Sequence, residues 1–197
     1  MESYEFFQLS QLEIESLISG DSISDVFPWS TNNENLIDQH YKQIFLDISK
    51  LSGTQFLVDF DHYGSGYASY IPTFFFKDEF RTKQLYPSYN QNFLGLEIYF
   101  CRIAPYFIMI EDEYRWQSKT QKIERFNGFP KLDQIDEIKN SNIILIAQQI
   151  EKLLSKFELI RLNQKQLKIK LPSNYGVHTN FTNHGYCYFD AFFHWED

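Results

Sequence analysis

Apolar residues at Leu36, Ile37, Tyr41, Ile44, Phe45, Ile48 and Leu51 recur at the spacing of one helix face, and Gly53 follows where a left-handed cap would end the helix. A shorter helix is predicted before it. Ser10 and Glu13 have the spacing of a capping box, Leu12, Ile14, Leu17 and Ile18 supply an apolar side, and Gly20 stands at the end. A third helix is predicted over Ile143–Phe157, where Ile143, Ile144, Ala147, Ile150, Leu153, Leu154 and Phe157 form a broad apolar face. Ser141 or Asn142 can cap it.

From Thr54 the period changes to that of strands, predicted at Gln55–Phe60, Tyr67–Phe76, Leu94–Arg102 and Tyr106–Trp116. Turns at Gly64-Ser65-Gly66 and Ala104-Pro105 join them. The expected fold is therefore α+β, an antiparallel four-stranded meander packed against two main helices. No Pro/Gly/Ser-rich linker and no internal repeat divides the chain, so residues 1–197 are read as a single domain. The polar stretch Gln117–Asn140 reads as a long loop with a helical turn at Gln134–Ile138. Asn163 can cap a short helix over Gln164–Lys170, while Leu167, Ile169 and Leu171 also alternate as a strand would; both readings stay open.

Composition adds an aromatic core: the chain has 20 Phe, 13 Tyr and 3 Trp, and 43% hydrophobic residues, enough apolar surface to exclude disorder outside short loops. The tail from Tyr186 to Trp195 is too aromatic for a free end and is expected to dock, with Phe192 or Phe193 and Trp195 as anchors. Met1 leads into Glu2 and Glu5 without a basic or long apolar stretch, and the run Gly95–Ile110 is broken by Glu97, Arg102 and Pro105. A cytoplasmic protein with no membrane partner is expected. Cys101 and Cys187, without a C-x-x-C, fit buried, unlinked thiols.

The net charge of −8 is unevenly placed. Residues 1–66 hold 11 acidic residues against Lys42 and Lys50, a net −9, whereas residues 67–197 hold 15 acidic and 16 basic, a net +1. An acidic surface repels phosphate backbones, so nucleic acid is not expected as a partner, and a basic protein is favoured. Two patches are candidates for binding it: Asp61, Tyr63, Tyr67 and Tyr70 around the glycine turn, and Glu111-Asp112-Glu113-Tyr114-Arg115-Trp116 at a strand end.

Candidate chemistry is sparse. Asp59 and Asp61, two apart at the end of an apolar strand, share a face and could hold a divalent cation, which gives an alternative reading as a metal-dependent hydrolase or transferase. The segment resembles the strand-end D-x-D of haloacid-dehalogenase-type phosphatases and of metal-dependent glycosyltransferases. It departs from the phosphatase pattern in having Tyr63 where a hydroxyl residue follows, and a strand where a helix should come. His178, His184 and His194 lie near Cys187 and Asp190, but their spacing matches no metal motif, and a structural role is expected. Gly64–Ser69 starts like a dinucleotide loop yet has no helix after it, and the G-x-S-x-G, P-loop and H-E-x-x-H spacings are absent. Asn180-Phe181-Thr182 is formally a glycosylation acceptor. No catalytic residue, cofactor or resident metal is assigned.

The helix at Ile143–Phe157, the following Leu162-Asn163-Gln164-Lys165-Gln166-Leu167 and the closing Tyr188-Phe189-Asp190-Ala191-Phe192-Phe193-His194-Trp195-Glu196-Asp197 together resemble the C-terminal end of immunity proteins encoded beside bacterial polymorphic toxins. The resemblance implies a cytosolic inhibitor that binds and neutralises a cognate protein toxin. It carries no functional residue over.

Overall fold

The computed structural model describes residues 7–64, 66–83, 91–117, 122–125, 129–179 and 186–196. The first helix, α1 (Gln11–Ile18), starts with the capping box in place: Ser10 Oγ accepts the Glu13 N–H at 3.2 Å and the Glu13 carboxylate accepts the Ser10 N–H at 2.7 Å. The longest, α2 (Glu34–Ser52), is capped by the Asn33 side chain and ends at Gly53, whose φ of +67° is the left-handed stop the sequence predicts. Asn140 caps α3 (Ser141–Leu154). Two short helices follow, α4 (Gln164–Leu167) and α5 (Tyr188–Phe192).

In chain order the strands are β1 (Gln55–Val58), β2 (Tyr67–Ala68), β3 (Tyr70–Lys83), β4 (Gln91–Cys101), β5 (Tyr106–Gln117), β6 (Lys122–Arg125), β7 (Ile160–Arg161) and β8 (Trp195–Glu196). The main sheet runs β1-β3-β4-β5-β6, each strand antiparallel to the next, and β7 pairs in parallel with Tyr106 and Phe107 of β5. The meander is thus longer than the four strands expected. β6 lies in the stretch read as loop: of Lys122, Ile123, Glu124 and Arg125 only one is apolar, so an edge strand held by backbone pairing leaves no hydrophobic period to read.

A second correction concerns Tyr67–Phe76. It is not one strand, because Ser69 leaves the ladder to bond the tail: its N–H donates to His194 O at 3.0 Å and its Oγ accepts the His194 N–H at 2.9 Å. Tyr67 and Ala68 pair instead with Glu196 and Trp195. The open choice at Gln164–Lys170 resolves into both conformations. Asn163 and Gln166 form a capping box over a single helical turn, and Lys170 then makes an antiparallel bridge to Cys187.

Alternation on the strands sorts two apolar layers. Ile71 and Phe75, Leu96, Ile98 and Phe100, and Phe107 and Met109 face α2 and α3, where they bury Ile37, Tyr41, Phe45, Ile48, Ile143, Ile146 and Ile150. The opposite face carries Tyr70, Tyr99, Cys101, Ile108 and Ile110 and is covered by α1, α4 and the tail. Phe192 and Phe193 are fully buried there, and Trp195 is half-buried. At the far end of that face Phe74, Phe76, Phe93 and Tyr114 form a smaller cluster. Among the described residues no helix is long and apolar enough to cross a membrane.

Candidate functional site

The two patches predicted from sequence do not stand out as exposed surfaces. Asp112 and Tyr114 are buried, while Glu111, Glu113 and Trp116 are half-buried. Glu111 is occupied structurally, since its Oε2 accepts the N–H groups of Lys139 at 2.9 Å and Asn140 at 2.7 Å and so fixes the chain that enters α3. Around the glycine turn Asp61 is exposed, Tyr63 and Tyr67 are half-buried, and Tyr70 is fully buried; Ser65 lies outside the described residues.

The structure brings members of both patches together inside the protein instead. Glu97, fully buried at the centre of β4, accepts the hydroxyl of Tyr99 at 2.8 Å on one carboxylate oxygen and that of Tyr114 at 2.8 Å on the other. Tyr70 meets Tyr99 edge-on at 5.5 Å, and Tyr63 meets Tyr70 at 6.2 Å. Burial, reinforced by neighbouring acidic groups, pushes the Tyr99 and Tyr114 hydroxyls well above their ordinary range, so both stay protonated donors. A carboxylate with a hydroxyl on each oxygen is well satisfied in a dry site. The sequence signal for Glu97 was its place as a lone acid in an apolar strand.

Asp59 and Asp61 lie just beyond the end of their strand. β1 ends at Val58, and the Asp59 Oδ1 accepts the Asp61 N–H at 2.7 Å, a local turn that shapes the loop. His62 and Tyr63 then take left-handed φ values of 47° and 62°, which reverses the chain. The described members of the histidine set near the C-terminus lie in different surroundings. His178 is exposed, His194 is buried with Nδ1 3.2 Å from Ala191 O, and Asp190 caps the Cys187 N–H at 2.7 Å; His184 and Asn180-Phe181-Thr182 lie outside the described residues. Among the described residues no group of three or more His, Cys, Asp or Glu side chains is placed to hold a metal ion.

A cluster the sequence did not reveal ties the acidic N-terminal third together. Arg102, buried at the end of β4, donates from its NH1 to Asp38 and, at 3.0 Å, to Glu34, and from its NH2 to Phe60 O at 2.9 Å. Glu34 Oε1 also lies 2.6 Å from His62 Nε2. Burial holds the Asp38 carboxyl above its ordinary range in spite of the guanidinium beside it. These contacts clamp the first turn of α2 to the 59–64 loop and to the sheet.

Beside the clamp, the surface is both apolar and acidic. Phe27 is 60% exposed, Val26 46% and Leu36 37%; Phe27 touches His40 edge to face at 6.3 Å, and Leu36 lies one turn before His40 on α2. Asp21, Asp25 and Glu34 are exposed in the same segment, and Asn32 bonds Asp21 at 3.2 Å. Phe27 could have been found from sequence: with Pro28 and Trp29 it interrupts a polar stretch that has no helical or strand period. Comparison with protein-family models, with curated proteins and with solved structures gave no match to this chain.

Proposed function

We propose that the chain is a cytoplasmic inhibitor of the immunity type, which neutralises a cognate basic toxin by binding it through an acidic surface with an aromatic centre. The observation that carries this reading is the exposed Phe27, with Val26 and Leu36, in the same stretch of chain as the exposed carboxylates of Asp21 and Asp25, within the segment that holds the chain's excess negative charge. Large exposed apolar side chains beside charges of one sign suit an interface in which carboxylates speed encounter and an aromatic residue fills a pocket on the partner. The clamp through Arg102 adds pre-organisation, because the first turn of α2 is already fixed before any partner arrives.

The patches first expected to make this contact contribute less to the reading, since Tyr70, Asp112 and Tyr114 are buried and Glu111 is held by backbone amides. The test is to identify the partner by co-purification and then to follow binding kinetics across a salt series. Asp21→Lys with Asp25→Lys should slow association about tenfold at low salt, with the gap closing as the screening length falls to about 8 Å at physiological ionic strength. Phe27→Ala should leave association alone and speed dissociation by more than about tenfold. Association that ignores both salt and charge reversal would reject the acidic surface.

A further inference from the structure

Away from the acidic surface, α1 and the Ile169–Tyr175 segment enclose an open groove of about 560 Å³, a size typical of small-molecule sites. Its walls are mainly apolar, with Phe7, Leu9, Ile14, Ile169 and Pro172 among them, and among the described residues Lys170 is the one charged residue in the lining. On a chain of net charge −8 a positive charge in the described lining runs against the overall balance. Lys170 is exposed and has no ion pair among the described residues.

A second observation is independent of that charge. Tyr188 lines the same groove and is only 4% exposed; its hydroxyl oxygen accepts the Leu9 N–H at 3.1 Å, and among the described residues nothing accepts its proton. A buried hydroxyl proton without an acceptor is a donor waiting for one. The backbone joins the two segments that carry these residues: Lys170 bridges Cys187, and the Tyr188 N–H donates to Ile169 O at 2.9 Å, so that both residues line one groove. Glu15 is not in the lining; its carboxylate stands behind Gln11 and Tyr175, accepting hydrogen bonds from Gln11 Nε2 at 2.9 Å and the Tyr175 hydroxyl at 3.0 Å, and keeps its charge beside the groove.

We infer that this groove is a binding site for a small amphipathic carboxylate, whose apolar body lies along Phe7, Leu9, Ile14, Ile169 and Pro172 while its carboxylate accepts hydrogen bonds from Tyr188 and Lys170. The charged acceptor explains both donors at once, and the apolar walls exclude a purely polar anion as the occupant. The inference stands apart from the reading of the acidic surface, and either can fail without the other.

The test is titration calorimetry of the full chain with decanoate and, separately, with decan-1-ol, which has the same chain length and no charge. Decanoate should bind once per chain, and Lys170→Met, a change at an exposed side chain that the fold does not need, should weaken it about tenfold or more while leaving decan-1-ol unaffected. Ile169→Trp, which fills the groove from its rim, should abolish binding of both. Tyr188→Phe should weaken decanoate more than decan-1-ol, with thermal unfolding run alongside to confirm that the variant is folded. No saturable binding of decanoate, or binding that Lys170→Met and Ile169→Trp leave unchanged, would overturn the site.

Discussion

Glu34 and His62 meet through a 2.6 Å contact between Oε1 and Nε2, while the other ring nitrogen of His62 accepts the Ala68 N–H at 2.9 Å. With Nδ1 accepting, the ring hydrogen sits on Nε2 and is directed at the carboxylate. The imidazole therefore joins three places: the start of α2, the 59–64 loop, and the strand β2 that receives the tail.

Arg102 is the centre of that junction, and its loss should be felt through the carboxylates it leaves behind. Arg102→Met is expected to destabilise the fold by about 2–3 kcal/mol, because half-buried Asp38 loses its partner and Phe60 O loses its donor. Glu34→Gln, at a side chain 49% exposed, should cost less than about 1 kcal/mol. Urea denaturation of the two variants decides it; equal small effects would show that the cluster is mere surface pairing.

Gly95 should tolerate no side chain. A Cβ there would lie 2.5 Å from the Phe74 ring and 2.6 Å from Phe75 O, and the Phe74 ring in turn stacks on Tyr114 at 3.9 Å. Gly95→Ala is expected to cost about 1–3 kcal/mol by forcing the ring or the strand aside. Pairing it with Phe74→Leu, which shortens the obstructing side chain, should recover part of that loss. Additive effects in the double variant would refute the proposed clash.

The two thiols should be inert in the folded protein. Cys101 and Cys187 are unpaired and buried, and burial pushes Cys101 up to about 12 and Cys187 up to about 11. Iodoacetamide at pH 8 should label neither at a rate faster than global unfolding, and both in denaturant. Fast labelling of one thiol under native conditions would show that its cover opens locally.

Mild acid should weaken the fold. Burial holds the imidazoles of His40 and His194 below the ordinary value of about 6.5, so the unfolded chain binds protons more readily than the folded one. Their contribution is complete above that value and is lost as pH falls below it through the folded pKa. Asp38, raised by its own burial, acts in the opposite sense. The urea midpoint should therefore drop between pH 7.5 and 5.5, and His194→Gln should flatten the drop. A midpoint that does not move over this range would contradict the assignment.

How much of this was legible depended on whether a residue's role was local. The capping box of Ser10 and Glu13 and the stop at Gly53 act within a few positions, and both helices formed where the pattern placed them. Ser69 was illegible because its partner, His194, is 125 positions away, so a continuous apolar run hid a break between two sheets. The same limit governed the surface. Glu111 to Trp116 reads as an acidic aromatic cluster in one dimension, but strand alternation turns Asp112 and Tyr114 inward, where they adjoin Glu97 and Tyr99. Arg102 looked like an interruption in an apolar strand, and only folding brought Asp38 and Glu34 to it.

The bond between Ser69 and His194 also orders events in time. One face of the sheet, with Tyr70, Tyr99, Cys101 and Ile108, takes part of its cover from Phe192 and Phe193, which are synthesised well after β5. At about 5–20 residues per second, strands β3 to β5 wait several seconds with the part of that face that α1 does not cover exposed. The helices α2 and α3 are made earlier and can already cover the other side. A nascent chain of this protein therefore holds a sheet whose second face is only partly covered, open to chaperones and to its own neighbours on the same message, until Ser69 receives the segment around His194.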